Sequence, residues 1–177
     1  MDIKKSLTAL NTELKRRGRS YELYCCGGAA LQLLGVTTRE TGDVDLIVES
    51  MDHDLNEAKI RVAQRLRINE DWLNNKVNPI AARLPPDWKE NCTEVFSDSH
   101  LVLFALSRQD LISSKLHAAV DRHAQDYDDL ILLAPTLAEL KIAEEYTLRQ
   151  NRGSETYSVF VKGLLDLLKK DLGTRNE

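Results

Sequence analysis

Residues 27–48 read GGAALQLLGVTTRETGDVDLIV, and this segment is the most informative part of the chain for predicting its fold. It opens with the glycine pair Gly27-Gly28 and ends near two aspartates, Asp43 and Asp45. Residues two apart in a β-strand point to the same face of the sheet, so a strand here presents both carboxylates side by side. Two like charges at that distance are unfavourable unless a cation neutralises them. The spacing therefore predicts a divalent metal site on one face of a strand.

The glycine pair adds a second element of phosphate chemistry. Mg²⁺ (or Mn²⁺) takes oxygen ligands, and Mg²⁺ is often held by a few carboxylates together with substrate phosphates. Glycines at the start of a helix let the backbone approach an anion closely. Taken singly, a glycine pair such as Gly27-Gly28 is more often a simple turn, and a pair such as Asp43 and Asp45 is more often a solvated strand face. Their order along the chain favours phosphoryl or nucleotidyl transfer.

These residues resemble the defining motif of the nucleotidyltransferase superfamily, which has the polymerase-beta-like fold. The Arg-x-Thr-x-Asp sequence at 39–43 is more similar to a minimal branch, the AbiEii-type toxin nucleotidyltransferases. The resemblance implies that a nucleoside triphosphate is held by Gly27, Gly28, Arg39, Thr41 and Lys115. It implies that the metal is bound by Asp43 and Asp45. The catalytic set implied in this way is Asp43, Asp45, Lys115 and Asp126.

A second block, residues 110–130, supports the same branch. It reads DLISSKLHAAVDRHAQDYDDL and resembles the Lys-x-x-Ala and Arg-x-x-x-Asp-x-x-Asp-Leu pattern of those proteins, and LPPDW at 84–88 is similar to a segment found there. The resemblance implies that Lys115 contacts nucleotide phosphates and that Asp126 is a polar partner in the active site. A structural interpretation also exists, because Lys115 can extend along a helix edge and Asp126 can lie at a helix N-terminus.

One departure from the superfamily pattern concerns a third carboxylate. Most members supply one from a later strand, where it helps to activate the attacking hydroxyl. The apolar segment 101–106 contains no acid. Glu94 and Asp98 are weak substitutes, and their uncertain position leaves an inactive protein as an alternative.

The element order predicts an α+β (α/β) fold, with a small mixed β-sheet and a helical C-terminal part. Helical and strand periodicities alternate up to about residue 106 and are helical afterwards. We expect a nucleotidyltransferase-like core at 1–134 and C-terminal helices at 135–177 that pack on it. The net charge of −4 indicates no general attraction to nucleic acid. Three cysteines and the lack of a long apolar run predict a reduced, cytoplasmic protein with no membrane span.

The sequence therefore predicts a Mg²⁺-dependent nucleotidyltransferase that moves a nucleoside monophosphate from a triphosphate to an acceptor hydroxyl. The acceptor is left open among RNA (such as tRNA), a protein side chain and a small molecule. The resemblance implies a toxin–antitoxin or phage-defence role with an antitoxin as partner. The alternative is a non-catalytic module that retains the fold and binds a nucleotide or a protein partner.

Overall fold

A computed structural model describes residues 1–122, 125–151 and 154–173 of the chain. The chain divides into two compact units, Met1–Ser107 and Arg108–Glu177. The boundary that we predict from the sequence, at 134/135, lies inside the second unit. The assignment of domains stays a prediction, and the two units are described separately below.

The first unit is built on a mixed β-sheet. Within the described residues the sheet has five strands, in the order β3-β2-β1-β5-β4. Strand β1 pairs with β2 antiparallel and with β5 in parallel, while β2 and β3 are parallel and β4 and β5 antiparallel. The strands are β1 Tyr21–Cys26, β2 Val44–Leu46, β3 Leu73–Asn74, β4 Thr93–Asp98 and β5 Leu101–Ala105.

One face of this sheet is the core of the first unit. Alternate residues of β1, β2 and β5 are almost fully buried there, and all of them are apolar. They are Leu23, Cys25, Val44, Leu46, Leu101, Leu103 and Ala105. The alternation of buried and partly exposed positions in β5 is the pattern of a strand that uses one face for the core.

Three helices complete the first unit: α1 Ile3–Arg17, α2 Gly27–Leu33 and α3 His53–Leu66. Helix α1 packs against α3, β4 and β5 through apolar residues at helical spacing. Asp2 caps its N-terminus by accepting a hydrogen bond from the backbone N–H of Lys5, and Gly18 ends it in the left-handed conformation. Asp52 caps α3 in the same way, through the N–H of Leu55.

The proline-containing segment between α3 and β4 includes short structural elements. Strand β3 adds an edge to the sheet and is only two residues long, which is too short for a periodicity to reveal it. Two short 3₁₀ helices follow it, Asn78–Arg83 and Trp88–Asn91.

Among its described residues the second unit contains four helices and no strand. Helix α4 packs against α5 and α6, and α7 packs against α4, α5 and α6. Thr136 and Glu139 form a capping box at the start of α6. The helices are α4 Arg108–Arg122, α5 Gln125–Leu133, α6 Leu137–Gln150 and α7 Glu155–Gly173.

The predicted α+β (α/β) fold, with a small mixed sheet and a helical C-terminal part, is confirmed. Across the residues that the structure describes, none of the helices has the length and apolar character that a membrane crossing requires.

Candidate active site

The antiparallel pairing of β1 and β2 brings the first glycine against the second aspartate. Cys26, the last residue of β1, lies opposite Asp45. Gly27 follows with a left-handed φ of +69°, and a Cβ atom added there would lie 2.9 Å from Asp45 Oδ2. Real Cβ atoms essentially never approach an atom that closely, so any side chain at this position would displace the carboxylate. The structure thus requires glycine at position 27 for two reasons, its backbone conformation and its contact with Asp45.

The second glycine has a similar relation to the first aspartate, through a threonine. A Cβ atom on Gly28 would lie 3.4 Å from Thr41 Oγ1. That hydroxyl lies within hydrogen-bonding distance of Asp43, 3.2 Å from Oδ1 and 3.4 Å from the backbone oxygen. Gly27, Gly28, Thr41 and both aspartates therefore lie in one small region, although 13 residues separate Thr41 from Gly28 in the sequence.

The two aspartates are on the same side of the sheet. Val44 and Leu46 are fully buried, whereas Asp43 and Asp45 are half-exposed. Strand β2 begins directly after Asp43, and the alternation of exposed and buried residues continues through Asp43. Both carboxylates are accordingly accessible beside the glycine pair.

Two residues that the sequence analysis missed belong to this region. Asn74 lies opposite Asp45 in the β2–β3 ladder, and its side-chain amide donates a 3.4 Å hydrogen bond to Asp43 Oδ2. Only 3% of the surface of Asn74 is exposed, so the amide is held in place. Two residues later, the pKa of Lys76 is raised, mainly by the hydrogen bond and charge of Asp71 and also by the charges of Asp43 and Asp45. No sequence signal marks this segment, because β3 is too short to have one.

The donor set fits a hard divalent cation in part. Two half-exposed carboxylates beside a glycine backbone, with the Thr41 hydroxyl next to Asp43, offer oxygen ligands of the kind that Mg²⁺ prefers. Asn74 directs its amide nitrogen at Asp43 while its amide oxygen accepts from the backbone N–H of Lys76, so it orients the Asp43 carboxylate and adds no oxygen ligand. The described residues contain no cluster of three or more His, Cys, Asp or Glu side chains arranged to hold a metal ion. A metal here would therefore need oxygens from a bound phosphate or from water, as Mg²⁺ commonly does.

Arg39 lies on the loop that leads into this region. Its backbone N–H donates to Thr37 Oγ1 at 3.1 Å, which fixes the chain two residues before Thr41. The residue is half-exposed. Its proposed contact with a nucleotide stays a prediction.

Lys115 and Asp126 form a buried ionic cluster in the second unit, together with Asp129. The Nζ atom of Lys115 lies 2.8 Å from Asp126 Oδ1 and 2.6 Å from Asp129 Oδ2. The Lys115 side chain is 9% exposed and that of Asp129 is 0% exposed. The cluster joins α4 to α5, and the predicted roles of Lys115 and Asp126 toward a nucleotide stay predictions.

The two weak candidates for a third carboxylate lie on the opposite edge of the sheet. Glu94 and Asp98 belong to β4, and β1 and β5 separate that strand from β2. At about 4.8 Å per strand, the backbones of β2 and β4 are roughly 14 Å apart. Neither residue can join Asp43 and Asp45 around one metal ion in this arrangement.

Comparisons with known proteins give one match, to a protein family. A search of curated proteins and a search of solved structures each return no match. The family model matches residues 5–141, which is most of the chain and includes both predicted motif blocks. The chain therefore belongs to the family described as "nucleotidyltransferase of unknown function (DUF6036)".

Proposed function

We propose that this protein is a Mg²⁺-dependent nucleotidyltransferase whose site is the region around Gly27, Gly28, Asp43 and Asp45. The observation that carries the proposal is the 2.9 Å approach of a Cβ at Gly27 to the Asp45 carboxylate. It means that a backbone without a side chain meets the Asp45 carboxylate, two residues along the chain from Asp43. The description of the family supports transfer of a nucleotide in general terms.

In the proposed reaction, the protein holds and orients the triphosphate. The backbone at Gly27-Gly28 carries no side chain that would keep phosphate oxygens away. Asp43 and Asp45 would hold Mg²⁺ (or Mn²⁺), and Thr41 and Asn74 keep the Asp43 carboxylate oriented. When bound, the metal would offset the charge of the phosphates and polarise the α-phosphate.

The transfer step is an in-line displacement. The acceptor oxygen forms a bond to the α-phosphorus, the bond from that phosphorus to the bridging oxygen breaks, and pyrophosphate leaves. The hydroxyl proton is released to solvent. The protein's contribution is mostly positioning, because such transition states need little covalent help from side chains.

The wider biological role that we propose follows from the resemblance in the sequence. The Arg-x-Thr-x-Asp motif and the 110–130 block are similar to the AbiEii-type branch, which suggests a toxin of a toxin–antitoxin or phage-defence system. In that case the protein acts in the cytoplasm, its acceptor is RNA such as tRNA, or a protein, and its partner is an antitoxin.

The test is label transfer from each of the four α-³²P nucleoside triphosphates to bulk RNA and to bulk protein, with Mg²⁺ or Mn²⁺ or with EDTA. The variant Asp43→Asn/Asp45→Asn should lose transfer and metal-dependent nucleotide binding. A matched control, Glu94→Gln/Asp98→Asn, removes two carboxylates from the distant edge strand and should keep both. Equal activity of the first variant and the wild type would refute the assignment of the site.

The same assay separates the second candidate function. Metal-dependent nucleotide binding by the wild type without any transfer would favour a non-catalytic module. The distance of Glu94 and Asp98 from the two aspartates is the observation behind that candidate.

A further inference from the structure

A groove lined by aromatic rings opens on the sheet face that carries Asp45. Its volume is about 380 Å³, within the size range of small-ligand sites. Its lining includes Tyr24 of β1, Trp88 and Lys89 of the second 3₁₀ helix, and residues of the segment that follows β2. The residues that define this aromatic groove are Glu22, Tyr24, Ile47, Glu49, Trp88 and Lys89.

The position of the groove relative to the carboxylates follows from the strand register. Cys26 lies opposite Asp45, and Tyr24 lies two residues before Cys26 in β1. The Cα atoms of Tyr24 and Cys26 are therefore about 7 Å apart, and their side chains are on the same face of the sheet. The backbone N–H of Ile47 donates to the Tyr24 carbonyl at 2.8 Å, which continues the pairing. Gly27 directly follows Cys26, in the direction along the chain that leads away from Tyr24. Asp45 thus stands between the glycine pair and the aromatic groove.

This order places the two substrates of a transfer reaction. In an in-line displacement the attacking oxygen and the leaving pyrophosphate are on opposite sides of the phosphorus. If the β- and γ-phosphates lie at Gly27-Gly28, as in the proposed function, the acceptor approaches from the opposite side of Asp45. That side is occupied by the aromatic groove.

The chemistry of the groove fits a nucleobase. The Tyr24 ring stacks on Phe104 with ring centres 5.4 Å apart and makes a T-shaped contact with the buried Trp88 at 5.2 Å, so its neighbours hold the Tyr24 ring as a fixed aromatic surface. Bases stack on such surfaces with little regard to sequence. The hydrogen bond from Tyr24 to the Glu22 carboxylate, followed by burial, raises the pKa of the phenol to about 12. The ring therefore stays neutral near pH 7.

The charged groups at the groove have two different uses. The carboxylates of Glu22 and Glu49 repel phosphate, but they can accept hydrogen bonds from the exocyclic amino groups of adenine, guanine or cytosine. The exposed Lys89 has its Nζ 5.3 Å from the Tyr24 ring centre and 5.6 Å from that of Trp88. A cation there is suited to a phosphate that follows the base.

We propose that the aromatic groove binds a nucleobase of the acceptor, and hence that the acceptor is the end of a single-stranded RNA rather than a protein side chain. The proposal rests on the proposed function for the direction of approach. The proposed contacts between the groove and a base involve neither the metal nor the triphosphate, so the affinity of the protein for RNA can be measured without either.

The test measures the affinity of a fluorescein-labelled single-stranded RNA and of the same RNA with an abasic 3′-terminal nucleotide. The wild type should bind the intact RNA at least about fivefold more tightly than the abasic RNA, because the smallest usual contribution of one stacked base to affinity is about fivefold. Tyr24→Leu should remove this preference. The control Tyr21→Leu removes a tyrosine from the same strand but the opposite face, and should keep it. Lys89→Gln, at an exposed position, should weaken both RNAs equally and reduce the salt dependence.

Equal affinity of the wild type for the two RNAs would overturn the proposal. So would a Tyr24→Leu variant that folds and keeps the preference, or Tyr24-dependent binding of a serine- and tyrosine-containing peptide in place of RNA. Asp43→Asn/Asp45→Asn should retain the base preference. If that preference persists while no variant or wild type binds a metal-nucleotide, the proposed function fails and the base-binding groove stands. Nucleotide transfer by a wild type that shows no base preference would support the proposed function and overturn the base-binding groove.

Discussion

Replacement of Gly27 by alanine tests whether the close contact with Asp45 serves substrate binding. A left-handed residue that is not glycine costs about 1–2 kcal/mol. Alanine recovers about 0.4–1 kcal/mol of this by reducing the entropy of the unfolded chain. The net expected loss in the free energy of unfolding is therefore about 1 kcal/mol.

The effect on function should be larger than the effect on stability. The new Cβ would lie 2.9 Å from Asp45 Oδ2, so this carboxylate must rotate or shift by several tenths of an ångström. A terminal carboxylate can move at little conformational cost, which is why the folding term stays small. If Asp45 binds the metal, as proposed, its displacement should reduce transfer and nucleotide affinity by at least about tenfold.

Gly35 offers a matched control for this variant. It has a similar left-handed φ of +74°, but a Cβ there would meet nothing within 4 Å. Gly35→Ala should therefore lose the same stability, about 1 kcal/mol, and keep nucleotide affinity. Gly28→Ala should not lose stability, because alanine is the better helix former and its Cβ would be in ordinary contact with Thr41.

The measurements are urea denaturation and titration of each variant with a non-hydrolysable triphosphate in the presence of Mg²⁺. The reasoning is refuted if Gly27→Ala binds the triphosphate like the wild type. It is also refuted if Gly35→Ala loses as much affinity as Gly27→Ala, because the loss would then come from backbone strain alone.

Two further predictions concern the second unit. Lys115→Met removes the lysine beside the fully buried Asp129 and should lower the free energy of unfolding, measured by urea denaturation, by about 3–5 kcal/mol. The additional change Asp129→Leu should recover part of this loss, and a double variant without any recovery would contradict the ionic interpretation. The hydrogen bond from Arg108 holds the pKa of Glu139 below its usual value. The ionised Glu139 therefore stabilises the fold fully above about pH 5, and this stabilisation is lost as the pH falls through the lowered pKa. Glu139→Gln should flatten the pH dependence of the melting temperature in this range, and a pH profile equal to that of the wild type would contradict the prediction.

The sequence predicted most of the elements of the first unit because their signals are local. Tyr21–Cys26 is a short strand whose end is marked by the glycine pair that follows it. The capping residue Asp2 and the terminal Gly18 similarly mark the ends of the first helix. Such features depend on neighbours in the chain, so one sequence is enough to find them.

Asn74 shows what could not be predicted in this way. It reaches Asp43 only because a two-residue strand pairs in parallel with β2, and that pairing depends on the tertiary structure. The aromatic groove has the same origin, since Tyr24 and Trp88 are 64 residues apart in the sequence. Trp88 alone gives no sign of whether it covers a core or a cleft.

The register of one short strand pair determines the whole candidate site. Cys26 opposite Asp45 is what places a glycine on one side of the carboxylate and Tyr24 on the other. A slip by one residue would turn Asp45 toward the apolar core and Leu46 toward solvent, because strand side chains alternate between faces. The full burial of Val44 and Leu46 prevents this slip, since it would exchange buried apolar side chains for a buried carboxylate. The apolar residues between and beside the two aspartates therefore do more than fill the core: they fix where the carboxylates can meet a substrate.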